Sequence, residues 1–289
     1  MENIGQVILN ALITSSIYLL AGTGLTLTFG LSRFPNFTYA EFITLGAYAG
    51  FIFLVQPEGN FLLALVTAAV IAGLVSVLSY SLVFRPLVER RASLVLLMVA
   101  SIGLGYAIRY TIAEIWSWSS LSYQTVWAAY EVGGIRVTSL WVWIILTAVV
   151  AGVALHFFLT RTKTGKAIRA IANNPELASV TGINRERVIL LAWFIGAALA
   201  GLAGVFRAAD TRLFPMLGWD ILLPVFAATV LGGIGSFYGL ILASLILGFA
   251  ENFGVIFLSG VGLSTEYRMA IAFLILIIVL LVRPKGIAG

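Results

Sequence analysis

The sequence predicts an all-α protein, a polytopic membrane helix bundle of eight or nine transmembrane helices. Three observations carry that expectation. Hydrophobic residues make up 61% of the 289 residues and charged residues only 10%, against roughly 45–50% and about 25% in soluble domains. The apolar residues gather in runs that approach the ~20 residues a helix needs to cross a bilayer core. The runs are continuous rather than alternating, which argues against membrane strands.

The runs lie near 7–31, 38–55, 61–84, 93–113, 139–159, 188–206, 217–234, 238–258 and 267–282. Glu2 and no Lys or Arg precede the first run, unlike the basic start of a cleaved signal peptide. The second run is short, and Asn36 stands where it could cap the helix. Between the fifth and sixth runs lies the polar stretch 160–187. The seventh and eighth are interrupted by Leu231-Gly232-Gly233-Ile234-Gly235-Ser236. That stretch therefore reads as two spans or as one span plus a broken helix. The segment 114–138 carries Trp116, Trp118, Tyr123, Trp127 and Tyr130, aromatics that suit a membrane–water interface. Small residues recur at four-residue spacing (Gly46 and Gly50, Gly196, Ala200 and Gly204, Gly235 and Gly239), a pattern that lets helices approach closely. No soluble domain interrupts the chain, so 1–289 reads as one transmembrane domain with a polar loop at 160–187.

Basic residues set the orientation, because Lys and Arg accumulate on the cytoplasmic side. With nine spans and an outside N-terminus, Arg33, Arg85, Arg90, Arg91, Arg161, Lys163, Lys166, Arg169, Arg185, Arg187, Arg283 and Lys285 fall inside. Arg136, Arg207, Arg212 and Arg268 fall outside, with Arg109 near the outer end of a span. A miscount of one span moves the N-terminus but leaves 160–187 cytoplasmic.

Composition also excludes several chemistries. The chain has no cysteine and a single histidine, His156, so disulfides, thiol nucleophiles, zinc–thiolate sites and multi-His metal sites are ruled out. No cofactor is expected, and the net charge of +5 is read through topology rather than nucleic-acid binding. Walker A requires G-x-x-x-x-G-K-[ST]; here Gly165-Lys166 is followed by Ala167 and preceded at the required distance by Thr160. The chain therefore carries no ATPase motif of its own.

Two groups of residues could carry function. The first is the loop. Ile168, Ile171 and Ala172 fall on one face of a short helix, with Lys166 and Arg169 opposite. Asn174 then reads as an N-cap, with Pro175 at the first helical position, Glu176 beside the positive helix end, and Gly182 as its stop. Two capped helices make a knob that a partner could grip; the same basic loop could instead rest on lipid headgroups. The second group is intramembrane and polar. Asn36, Glu41 and Glu251 lie in or beside apolar runs, where a charge is costly and faces a cavity or a partner. They could line a pathway or form interhelical hydrogen bonds. His156, at a helix end, reads as packing.

The run from Arg161 onward resembles the cytoplasmic coupling segment of branched-chain amino acid ABC transporter permeases. Their signature, R-T-x-x-G-x-A-h-R-A-h-A-x-N-x-x-x-A-x-h-x-G-I-N with h apolar, is met by Arg161, Thr162, Gly165, Ala167, Arg169, Ala170, Ala172, Asn174, Ala178, Gly182, Ile183 and Asn184. Gly24 to Gly30, Asn36-Phe37, Glu41 and Leu45-Gly46-Ala47-Tyr48 resemble the family's first helix pair. Gly232-Gly233-Ile234-Gly235-Ser236 with Gly239, Gly248 and Glu251, and the ending Arg283-Pro284-Lys285-Gly286, resemble its later segments. The family's usual His-Gly before the second-helix glutamate is replaced by Tyr39-Ala40-Glu41.

The resemblance implies the shorter of two paired permeases in a cell (inner) membrane. Its partners would be a second permease subunit, cytoplasmic ATPase subunits and an extracellular or periplasmic binding protein that delivers an amino-acid-like solute. It implies an ATPase-coupling loop containing Thr164, Gly165, Ala167, Ile168, Arg169, Ile171, Asn174, Pro175 and Glu176. An ion-coupled secondary transporter is the alternative; such carriers hold ion sites at the midplane on broken helices, and midplane acids are sparse here.

Overall fold

The computed structural model describes residues 4–56, 58–260, 262, 264, 268–283 and 286–288. Glu2, Pro284 and Lys285, and the side chain of Arg268, named in the sequence reading, lie outside the described residues. The chain forms α1 (Ile4–Ser32), α2 (Tyr39–Leu54), α3 (Phe61–Ser79) continued through a π turn (Tyr80–Phe84) into α4 (Arg85–Glu89), and α5 (Leu94–Trp116). After a short hairpin come α6 (Ser139–Arg161), α7 (Lys163–Asn173), α8 (Pro175–Val180), α9 (Arg185–Asp210), α10 (Leu217–Gly232), α11 (Phe237–Gly260) and α12 (Arg268–Val282).

Every expected apolar run is helical. Among the described residues, six helices are long and apolar enough to cross a membrane: α1, α3 with its continuation to Glu89, α5, α6, α9 and α11. Shorter apolar helices occupy Tyr39–Leu54, Leu217–Gly232 and Ala270–Val282. The interrupted 217–258 stretch is two separate helices. Gly233 and Gly235 stand at φ +96° and +82°, a left-handed geometry that residues with a Cβ resist, and the chain turns there.

The all-α expectation needs one correction. The 114–138 segment carries an antiparallel hairpin, β1 (Ala129–Val132) and β2 (Ile135–Thr138), in register Val132↔Ile135. Gly133 and Gly134, both at positive φ, supply the two-residue turn whose twist suits a hairpin. The rest of the segment is tied down by backbone: Leu121 and Leu213 exchange hydrogen bonds of 2.7 and 2.8 Å, and Gln124 N–H donates to Leu54 O at 2.9 Å. Tyr123 Oη donates to Ala47 O at 2.8 Å. Burial pushes its phenol well above the usual range, because the charged form would lose water without gaining a partner.

At the centre stands α9, packed against α1, α2 and α3. Small residues make this possible. A Cβ on Gly196 would lie 2.8 Å from Gly24 Cα, and one on Gly46 would overlap the Gly201 backbone, so these backbones touch with no side chain between them. Trp193, fully buried on α9, donates its indole N–H to Ser32 Oγ at 3.1 Å. Against lipid, where apolar surface gives helices no solvent-driven reason to associate, such close contact and interhelical hydrogen bonds supply the cohesion.

Between α1 and α2 the backbone leaves helical geometry while still inside the bundle. Arg33 takes φ +56°, and Phe34, Asn36 and Thr38 are buried. Asn36 does not cap α2 as expected. Its Oδ1 accepts from Thr38 N–H at 3.0 Å, while Thr38, the residue before the helix, makes no side-chain cap. Non-helical backbone at depth survives only where protein satisfies it: Phe37 N–H donates to Ser101 Oγ at 3.1 Å, and Thr38 Oγ1 donates to Ser101 O at 2.7 Å.

Candidate functional site

Two places emerge, one at the end of the bundle that carries residues 160–187, one deep within it. At the loop end, Thr162 caps α7 by accepting from Gly165 N–H at 2.9 Å. Asn174 closes α7 and opens α8, its Oδ1 accepting from Glu176 N–H at 3.1 Å and Leu177 N–H at 3.0 Å. Pro175 occupies the first turn of α8, Gly182 takes φ +80° after it, and Asn184 caps α9 by accepting from Arg187 N–H at 3.1 Å. Three caps within this short stretch fix the path of the chain without help from a large core.

The amphipathic reading of α7 matches the packing. Ile168 and Ile171 are buried against the bundle, while Lys166 and Arg169 are exposed. Thr164 and Ala167 are partly exposed, and Glu176 is exposed. Gly165 has a packing reason to be small: a Cβ would overlap Phe158 O and Leu159 Cα of α6, so it seats α7 on its own bundle. Beneath α7 lies a cavity of about 170 Å³ bordered by Ile168, Arg169, Gly30, Leu31, Gly235 and Ser236. The loop helix thus borders the glycine turn between α10 and α11. On α8, Leu177 and Val180 are 63% and 86% exposed, three residues apart on one face. The cap reading had not singled them out, because exposure of an apolar residue is set by how α8 is seated.

In the bundle interior, Glu41 on α2 and Arg109 on α5 form an ion pair; Arg109 Nε donates to Glu41 Oε1 at 3.0 Å, and Nη2 reaches the same oxygen. Glu41 is fully buried and Arg109 nearly so, 0% and 4% exposed. The guanidinium carbon lies 4.9 Å from the Trp219 ring centroid and 5.3 Å from that of Tyr106, close enough for cation–π attraction in a site stripped of water. Among the described residues, Glu41 Oε2 and Asn36 Nδ2 have no hydrogen-bond partner. Glu251 sits elsewhere: on α11, accepting from Tyr18 Oη of α1 at 2.8 Å. Asn36 and Glu41 therefore share the α2–α5 side and Glu251 belongs to the α1–α11 seam. Arg109 is the residue that sequence reasoning left at a span end; its partner stands 68 positions away. His156, expected as packing, has Nδ1 2.7 Å from Tyr238 Oη.

Comparison with known proteins gives a consistent picture. The profile of a family described as "Branched-chain amino acid transport system / permease component" matches residues 7–280. The high-affinity branched-chain amino acid transport system permease protein LivH of Escherichia coli K12 is 32% identical over 299 residues, covering 98% of this chain and 95% of its own length. LivH of Salmonella typhimurium LT2 is 31% identical over 301 residues, with the same coverage. A chain of PsaBC from Streptococcus pneumoniae, solved in complex with Fab, superposes with TM-score 0.51 at 13% identity over 96% of this chain and 91% of that one, a likeness of fold alone.

Proposed function

We propose, from the premise that this chain belongs to the branched-chain amino acid transport system permease family, that it is one of two membrane subunits of an ATP-binding-cassette importer in the cell (inner) membrane. The chain is a transport permease and not an enzyme. In our reading nine helices cross the bilayer, the N-terminus lies outside and 160–187 lies in the cytoplasm. A second permease subunit completes the pathway, an external binding protein delivers a branched-chain or similar amino acid, and ATPase subunits grip the loop. Asn36, Glu41 and Glu251 are the proposed pathway positions, with Arg109 added.

The observation that carries this reading is the α7–α8 knob. It presents a basic face and two bare apolar side chains, Leu177 and Val180, while its other face is locked to the bundle by Gly165, Ile168 and Ile171. Exposed apolar groups rimmed by charge mark protein docking sites, and a rigidly seated helix can pass a push inward. Thr164, Ala167, Arg169, Asn174, Pro175 and Glu176 complete the proposed coupling surface. Lipid headgroups would be satisfied by the basic residues alone.

The double variant Leu177→Asp/Val180→Asp separates the two. Both positions are exposed, so folding changes little, within about 0.5 kcal/mol for a surface site. Binding-protein-stimulated ATP hydrolysis and amino-acid uptake should both fall at least tenfold at normal membrane abundance. Uptake that persists at normal abundance would remove the knob from the coupling mechanism.

A further inference from the structure

Charges of both signs lie at one end of the bundle, next in the chain to a ring that covers the interior ion pair. At the end of the bundle opposite the loop, Arg207, Thr211, Arg212, Phe214, Leu217 and Asp220 line a cavity of about 210 Å³. Asp220 thus faces the same cavity as both arginines. Trp219, beside Asp220 in the chain, stacks on the Arg109 guanidinium, which is bonded to Glu41.

A lone ion among charges of both signs is repelled by one of them, and an unpaired charge in a dry interior is prohibitively costly. A species with one positive and one negative end finds a partner for each. Glu41 supplies a second, specific argument. Its Oε1 takes both contacts from Arg109, while Oε2, on a fully buried residue, has no hydrogen-bond partner among the described residues. An unused acceptor of that kind is costly to maintain and is placed to take an ammonium N–H without Arg109 first leaving. The rings of Trp219 and Tyr106 offer apolar surface beside Arg109, and that of Phe214 beside Arg212. The helix carrying Arg109, α5, packs chiefly against α2, so few contacts resist its displacement.

We propose that Glu41 and Arg109 are an exchangeable pair that receives a zwitterionic amino acid: Arg109 takes the α-carboxylate, Glu41 takes the α-ammonium, and Asp220 with Arg207 and Arg212 hands the solute inward. Closed on each other, the two side chains seal the lane; opened by a zwitterion, they carry it. This rests on the amino-acid reading above.

The test uses the complete transporter in proteoliposomes, with both permeases, the ATPases and the binding protein, and radiolabelled leucine as probe. The double variant Glu41→Gln/Arg109→Gln puts neutral amides in place of the pair, isosteric at 41 and shorter at 109, and removes both charges. A buried pair that serves only structure tolerates neutral replacement, so leucine carried per ATP would then stay at the wild-type value, and that result overturns the proposal. The proposal expects leucine per ATP to fall roughly tenfold or more, the worth of a charge-assisted hydrogen bond, while binding-protein-stimulated hydrolysis continues. Should the double variant not accumulate, Asp220→Asn decides: a several-fold loss of leucine per ATP supports the lane, and an unchanged ratio overturns it. A wild-type complex that hydrolyses ATP but carries neither leucine nor any other amino acid sinks the amino-acid reading itself, a failure seen before any variant is compared.

Discussion

Glu41 and Arg109 illustrate what a residue's type tells and what it withholds. A glutamate inside an apolar run is legible as an expensive group needing a partner, and Glu41 was marked on that ground. Its partner was not legible, because Arg109 lies 68 residues on and helix packing, not sequence proximity, joins them. The pairing makes a sharp stability prediction. Glu41→Ala strands a buried guanidinium and should cost about 3–5 kcal/mol, read as a marked fall in thermal unfolding temperature in detergent. The double glutamine variant, which strands no charge, should lose clearly less. Equal losses in both would mean that side-chain shape, and not charge, holds α2 to α5.

The helices themselves were legible almost throughout, because a bilayer selects long apolar runs whatever the tertiary contacts. The hairpin was not. Ala129–Thr138 is too short and too exposed to show a strand period, and its aromatics drew the eye to the interface instead; the signal that could have found it was Gly133-Gly134. In the loop, Asn174, Pro175 and Gly182 were readable as caps from residue type and spacing, and all three take those roles. The packing role of Gly165 was not legible, since only the seated structure shows Phe158 and Leu159 beneath it. Glycine contacts between helices yield a second prediction. Gly46→Leu drives a side chain into the Gly201 backbone on α9, and overpacking of this kind costs about 1–3 kcal/mol or more. Thermal unfolding should show it, and a wild-type melting temperature would mean that α2 and α9 do not meet there.

At the scale of the molecule, the C-terminal end of α6, α7, α8 and the start of α9 lie at one end, the hairpin and the α9–α10 link at the other; we propose that the first, rich in basic residues, faces the cytoplasm. The chain contains no cysteine, so a single introduced thiol reports without background. Asn173→Cys, exposed at the end of α7, should react with a membrane-impermeant maleimide only after the membrane is opened; reaction in intact cells would invert the topology. The central claim is that an external motor drives solute through this bundle, and it is tested most directly by leucine uptake into proteoliposomes with components added one at a time. Uptake should require the second permease, the ATPases with ATP and the loaded binding protein together, and should ignore imposed proton or sodium gradients. Uptake driven by an ion gradient with no ATPase present would contradict the account.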